Sequence, residues 1–309
     1  MTAFTDTLPR DPSLPDPTAP LTASGNLRRR AAVSRLITIL ATASAAFAVG
    51  LLVDVAWTVV QKGSPVINFS FLTQNSSGLL GGGIANALLG TIVIVGFAAV
   101  IALPVGVLTG LYLTEFAGPR SRLANTLKLV LDLLQGLPTI IAGVVVYGLI
   151  VASEHLETGF AGSIALAIVM LPMIARSSQE VLLLVPGSLR EAADALGVER
   201  WRTVLGVILP AAAGGIATGA ILSIARAAGE TAPLLIVASI YNPGLTQLDI
   251  FGHGVPSIPM YIYTTYDLPA PTAIAHAWGA ALVLLTFILI ANVGARILLA
   301  RSRAKMGAG

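Results

Sequence analysis

Four charged residues stand inside or at the margins of stretches that are otherwise too apolar for water: Arg176, Glu180, Arg226 and Glu230. A charge at mid-bilayer costs at least about 2.5–3.5 kcal/mol, so such groups normally face protein or a water-filled route and mark ion pathways. Arg176/Glu180 and Arg226/Glu230 share (i, i+4) spacing, which makes each pair neighbours on one helix face. Two readings are open. The pairs are intrahelical ion pairs that hold a bundle together, or each Arg faces a pathway while its Glu orients it or repels unwanted anions. Arginine suits an oxyanion, because its planar guanidinium offers parallel donors and stays charged at every relevant pH. Around Arg226, Gly229, Thr231 and Pro233 add a break that would free backbone groups at membrane depth. The substrate-pathway candidates are therefore Arg226 first, Arg176 second, then Glu230, with Glu180 near enough to the surface to be solvated.

Other chemistry is thinly supplied. The chain has no cysteine, which excludes disulfides, thiolate metal sites and thiol catalysis. His155, His253 and His276 lie far apart without ligand-like spacing, so no metal site is expected. No nucleophile–base constellation suggests catalysis. Gly81-Gly82-Gly83 lacks the Lys-Ser/Thr of a phosphate loop and reads as a flexible approach to the next span. Glu154, His155 and Glu157 read as solvated charge in a short connection, and Asp54 and Asp132 as interfacial groups without a pathway role.

The elements that must position these residues are membrane helices. Hydrophobic residues make up 55% of the 309 and charged residues 11%, against about 25% charge in a soluble domain, and the mean hydropathy is +0.86. Residues 1–35 read as a disordered Pro-rich tail whose composition cannot offset chain entropy. Arg28, Arg29, Arg30 and Arg35 then lead into the apolar run 36–60, too long for a signal-peptide core and read as an uncleaved first span. Spans follow near Ile84–Leu113, Leu129–Val151, Gly162–Leu184, Leu205–Ile240 and Ala273–Ala300, each longer than the roughly 20 residues a crossing needs. Gly229 and Pro233 should break the fifth. The expectation is an all-α polytopic bundle with six transmembrane helices.

Lys and Arg set the orientation. They precede span one, separate spans two and three (Arg120, Arg122, Lys128) and spans four and five (Arg190, Arg200, Arg202), and follow span six (Arg296, Arg301, Arg303, Lys305). The other connections hold only Lys62, which places both termini in the cytoplasm. The segment Tyr241–Thr272 has no basic residue and reads as an ordered or re-entrant loop. Its Tyr261, Tyr263 and Tyr266 fit either a docking surface or interfacial aromatics.

Between Glu191 and Pro210 the chain reads EAADALGVERWRTVLGVILP. Ser188-Leu189-Arg190-Glu191 has the form of a capping box. A short helix through Ala195 would end at Gly197 in a C′-type position, and Val198–Val204 would form a second. Pro210 falls in the first turns of the next span, where a missing N–H costs little. Taken alone, the insert could be an amphipathic loop lying on lipid, anchored by Trp201 and basic side chains.

The insert resembles the EAA loop of type I ABC importer permeases (the MetI-like fold). It has Glu-Ala-Ala, a Gly six residues after the Glu and an aliphatic-x-Leu-Pro close, and differs in carrying Val207 where Ile is common. Gln135-Gly136-Leu137-Pro138-Thr139, LPMIARSSQEVLLLVPGSLREAA, IARAAGETAPLL and the Ile-Pro-x-x-Ile-Tyr at Ile258–Tyr263 are similar to phosphate-specific permeases of the PstA type. The resemblance covers roughly Gly83–Ala300. It implies a permease domain over 83–300 with a coupling loop at 186–210, whose Glu191, Ala192, Ala193, Gly197, Arg200 and Trp201 meet a cytoplasmic ATPase. It also implies arginines at the positions of Arg226 and Arg176 in the anion path.

The implied partners are a PstC-type permease, two copies of a PstB-type ATPase and a PstS-type phosphate-binding protein, in a bacterial inner membrane. ATP and Mg would be held by the ATPase, since this chain has no G-x-x-x-x-G-K-[ST] sequence. This chain would bind no cofactor, and no nucleic acid is expected. A permease for molybdate, sulfate or phosphonate, or an ATP-independent carrier or channel, are the alternatives.

Overall fold

The computed structural model describes residues 27–76, 82–118, 120–154, 156–238 and 249–306. The chain divides into two units, Met1–Trp57 and Thr58–Gly309. In the first, the described residues belong to α1 (Leu27–Gly63), whose apolar side chains such as Leu40, Phe47 and Leu52 are exposed. The helix starts at Leu27, so Arg28–Arg35 stand within it rather than in a disordered tail. Leu, Arg and Ala are strong helix formers, and here they extend the apolar run backward. The rest of the expected tail lies outside the described residues.

In the second unit, α2 (Phe69–Thr73) is followed by α3 (Ala85–Leu111), which runs on through a π turn at Tyr112–Phe116. Next come α4 (Arg122–Gly136), α5 (Thr139–Val146) with a π turn at Tyr147–Val151, the short α6 (Ala152–Glu154) and α7 (Gly159–Leu183). The insert forms α8 (Gly187–Ala195) and α9 (Arg200–Thr203), and α9 passes through a π turn at Val204–Ile208 into α10 (Leu209–Ala227). The chain then forms α11 (Leu234–Val237), α12 (Ile258–Tyr266) and α13 (Pro271–Met306).

Among the described residues, five helices are long and apolar enough to cross a membrane: Arg29–Val66, Ala85–Phe116, Gly159–Leu183, Arg200–Ala227 and Pro271–Ile297. The third expected span is different. It is a pair, Arg122–Gly136 and Thr139–Val151, bent by 105°. Leu137 is extended (ψ 137°), as a residue before proline must be, and Pro138 follows with ψ 131°. The chain therefore cannot carry α4 into α5 as one straight helix, and the expected span Leu129–Val151 is instead divided at Leu137–Pro138. The fifth span breaks where Gly229 and Pro233 predicted, with α10 ending at Ala227 and α11 beginning at Leu234. The π turn before α10 has a local cause. Pro210 supplies no N–H and its ring crowds the carbonyl four residues back, so the turn widens.

The centre of the second unit is the α3–α7 pair. Ala98, Ala102, Gly106 and Gly110 recur every fourth residue and form a small-residue stripe on α3 against Met170, Ile174, Ala175 and Ser178. Without a hydrophobic force between helices in lipid, close backbone approach supplies the dispersion energy that holds them. Ile94, Leu166, Leu234 and Val237 complete the same core.

The segment after residue 248 is ordered by backbone bonds. Gly159 N donates to His253 O (3.1 Å), Phe160 N to Ile250 O (2.8 Å) and Ile258 N to Thr91 Oγ1 (2.8 Å). The last bond lowers the Pro256 carbonyl onto Gly90, where an added Cβ would lie 1.8 Å from that oxygen. Gly90→Ala is therefore expected to cost about 1–3 kcal/mol by overpacking, while Gly96→Ala, with open space beside it, costs nothing measurable. Thermal unfolding midpoints in detergent check this, and equal midpoints for the two variants would contradict it.

Of the expected flexible approach to α3, Gly81 lies outside the described residues, and the residues just before the helix are held by backbone hydrogen bonds. Gly83 N donates to Asn75 O (3.1 Å), Ile84 N to Phe71 O (2.7 Å) and Ala85 N to Gln74 O (3.0 Å). These bonds satisfy donors at the helix start that have no partner within the helix.

Candidate functional site

Arg226 lies in the last turn of α10, where a cation complements the helix dipole. Its Nε is 3.6 Å from Glu230 Oε1, so the second (i, i+4) pair forms across the unwound turn after the helix. The contact engages one edge of the guanidinium and leaves the two terminal nitrogens without a protein partner among the described residues. Arg226 opens onto a cleft of about 380 Å³ lined by α5, α7 and the α4–α5 bend, including Gln135, Pro138, Thr139, Val169 and Pro172. It is the sole charged residue of that lining. The lining around it is mostly apolar, while the Arg226 side chain is itself 62% exposed.

Arg176 does not pair with Glu180. Its Nη2 meets Asp132 Oδ1 on α4, and its Nη1 donates to Gln179 Oε1 at 3.2 Å. Helical spacing finds neighbours on one helix, but here α4 brings a carboxylate from another element to the guanidinium. Asp132, expected to be an interfacial bystander, is thus the ionic partner. Glu180 is exposed and borders a second groove, of about 450 Å³, between the ends of α7, α8 and α10. The four pathway candidates therefore do not converge. Arg226 lines the cleft and pairs with Glu230, which is not part of that lining; Arg176 sits beyond it with Asp132, and Glu180 faces elsewhere.

The insert is built around a residue that helical spacing did not single out. Glu115, at the end of the α3 π turn, has a side chain only 1% exposed. Arg190 Nη2 donates to its Oε1 at 2.6 Å, and Arg190 Nε lies 3.2 Å from both oxygens. The same guanidinium donates to Val185 O (2.8 Å) and Leu182 O (3.0 Å), carbonyls at and just beyond the end of α7. Hydrogen bonding to Glu115 raises the Arg190 pKa further above its ordinary value, so this cation is permanent. Arg200 joins from the other side. Its Nη2 is 3.7 Å from Glu115 Oε2, and its Nε donates to the Glu115 carbonyl. One buried carboxylate thus ties both arms of the insert to the end of α3. Expected as an ATPase contact, Arg200 is partly turned inward.

The expected capping box does not form. Pro186 occupies the cap position of α8 without a side-chain bond, and the helix begins at Gly187, so Ser188 falls inside the first turn. Pro186 cannot donate and its extended ψ of 134° sets the helix start two residues early. The other end agrees with the sequence reading. Gly197 has φ +68°, Gly197 N donates to Asp194 O (3.0 Å) and Val198 N to Ala193 O (3.1 Å), the bond pair of a Schellman motif. Glu191, Ala192 and Gly197 are exposed, while Ala193 is buried. Trp201 is half-exposed and donates through Nε1 to Glu199 Oε2 at 2.8 Å, with Arg202 packed over its ring. Leu196 beside them is exposed, giving the insert an outward apolar point.

Removing the Glu115 carboxylate leaves the Arg190 guanidinium uncompensated. Glu115→Ala is expected to cost about 3–5 kcal/mol, the range for breaking a buried pair from one side. It should expose the insert to protease in membranes while α3–α7 packing stays protected. Wild-type protection of the insert would contradict this.

Elsewhere, Tyr261 is buried, while Tyr263 and Tyr266 are exposed and Tyr266 meets Trp278 edge-on. Glu157, expected to be solvated, is half-buried, and burial pushes its carboxyl pKa up. His253 lies 3.6 Å from Asp249 and His276 stands against the Phe71 ring. His155 lies outside the described residues.

The chain resembles known transporter permeases in sequence and in fold. The chain is 37% identical over 280 residues to the phosphate transport system permease protein PstA 1 of Mycobacterium tuberculosis, covering 88% of this chain and 90% of that protein. It is 34% identical over 275 residues to phosphate transport system permease protein PstA of Yersinia pestis, covering 87% and 91%. A chain of the MetNI methionine ABC transporter superposes with a TM-score of 0.52 at 22% identity, over 71% of this chain and 94% of that one. A chain of a bacterial alginate ABC transporter does so at 0.56 and 15% identity, over 89% and 99%. These likenesses show the same fold. Residues 102–304, which hold the cleft, both arginines and the insert, match the binding-protein-dependent transport system inner membrane component, and the chain belongs to that family as a PstA-type member.

Proposed function

We propose that this chain carries inorganic phosphate inward as one of two permease subunits in an ATP-driven importer. It forms part of the pore and is not an enzyme. The observation that carries the reading is Arg226: a guanidinium whose terminal nitrogens have no protein partner among the described residues, held at one edge by Glu230, on an otherwise uncharged cleft lining. A tetrahedral oxyanion takes two parallel N–H donors from such a fork. The names of the relatives supply the choice of phosphate among oxyanions.

The insert gives the second support. Its outer face presents Glu191, Ala192, Leu196, Gly197 and Trp201, while Glu115 fixes its inner face to α3 through Arg190 and Arg200. A rigid connection of this kind passes displacement of the insert directly to the central α3–α7 pair. The implied assembly has a PstC-type second permease, two PstB-type ATPases docked on the inserts and a PstS-type binding protein delivering phosphate outside. The basic residues in the first turns of α1 and the last turns of α13 support a reading with both termini on the ATPase side.

Anion competition tests the substrate. In membrane vesicles holding the complete transporter, unlabelled phosphate in tenfold excess is expected to suppress labelled phosphate uptake, while sulfate, molybdate and methylphosphonate leave it unchanged. ATP depletion should abolish the uptake. Suppression by one of the other anions at lower concentration than phosphate would replace the substrate, and uptake without ATP would refute the coupling.

A further inference from the structure

Among the described residues, Arg–carboxylate pairs between helical elements centre on two acids, Glu115 and Asp132, and these differ in one respect. Glu115 is 1% exposed and held by several donors, a fixed partner. Asp132 is 63% exposed and meets Arg176 through one oxygen, while Arg176 itself is only 27% exposed. The cation is thus the more buried member and its carboxylate the more exposed one. An Asp so exposed can swing into water at little cost, because water solvates and screens both members of an exposed ion pair. Arg176, deeper, needs a counter-charge whenever Asp132 leaves.

The position of the pair gives the difference meaning. Pro172 and Gln135 line the cleft that Arg226 opens onto. Arg176 is one helical turn beyond Pro172 on α7, about 6 Å along the axis, and Asp132 is one turn before Gln135 on α4. From there α7 leads to the insert. The order along this wall is therefore an arginine whose terminal nitrogens have no protein partner among the described residues, then an arginine whose terminal nitrogens are taken by Asp132 and Gln179.

Resting on the phosphate-import reading, we propose that Asp132 is a displaceable counter-ion that competes with the anion for Arg176 and thereby drives its release toward the ATPase side. The anion reaching Arg176 displaces Asp132, which remains tethered one side-chain rotation away at high effective concentration. Its return expels the anion. Without Asp132, Arg176 would retain the anion and also capture it from the cytoplasmic side.

The test is product inhibition in proteoliposomes carrying the complete importer, with inorganic phosphate varied on the ATPase side. Asp132→Asn is expected to lower the half-inhibitory phosphate concentration by about twofold to fivefold, the factor by which a weak competing pair reduces apparent affinity, and to lower the maximal uptake rate. Asp132→Asn combined with Arg176→Ala should lose the added sensitivity, which separates the permease site from phosphate acting on the ATPase. An Asp132→Asn curve that superimposes on wild type, or a shift that persists in the double variant, overturns the proposal. Should Asp132→Asn fail to assemble, Gln179→Leu removes the other partner of the guanidinium and must shift inhibition in the same direction; an unchanged curve overturns it. Wild-type vesicles that take up no phosphate would instead bring down the import reading, and this inference with it.

Discussion

Glu191→Lys is expected to reach the membrane at wild-type levels and to take up no phosphate above background. The side chain lies exposed on α8, away from the Glu115 anchor, so the substitution leaves the described packing intact. What changes is the sign of charge on the surface proposed to meet the ATPase. Juxtaposed like charges at an interface cost several kcal/mol, so recruitment should fall by about a hundredfold or more. Gly197→Asp tests the same surface through the backbone. At φ +68° any side chain is strained, by about 1–2 kcal/mol, and the C-terminal turn of α8 would shift. Co-purification of the ATPase together with surface labelling checks both variants. Normal uptake by Glu191→Lys would refute the coupling role of the insert.

Arg226→Ala is expected to abolish transport while leaving assembly intact. Its guanidinium is exposed to the cleft and makes one ionic contact, to Glu230, so its loss opens no core cavity. Two charge-assisted hydrogen bonds to an oxyanion are worth about 1.5–3 kcal/mol each, and losing them lowers uptake by at least about a hundredfold. Arg226→Lys, which keeps the charge without the planar fork, should recover only part of the rate. Uptake and ATPase binding measured on the same preparation separate the two effects. Full transport by Arg226→Ala would rule out an obligatory role.

The features most legible in the sequence were those carried by neighbouring residues. The apolar runs gave the long helices, the Gly229–Pro233 break appears where its breakers stand, and Gly197 closes α8 as a residue at φ > 0 should. Arg226 and Glu230 pair because they are four residues apart near one helix end. Long-range partners were not legible. Asp132 is 44 residues from Arg176 and Glu115 is 75 from Arg190, so only the fold brings them together. Glu115 did carry a faint signal, a lone acid at the end of an apolar span with arginines in the following connections. Leu137-Pro138 was legible as a break, yet hydropathy alone ran α4 and α5 together as one span. The capping box failed because Pro186, two residues upstream of Ser188, already set the helix start.

The most direct test of the central claim is uptake of labelled phosphate at low external concentration in cells lacking only this chain. Wild type is expected to restore uptake, and Arg226→Ala, present at the surface and bound to the ATPase, is expected to leave it at background. Failure of the wild-type chain to restore uptake, with the complex assembled, would contradict the assignment of phosphate as its substrate.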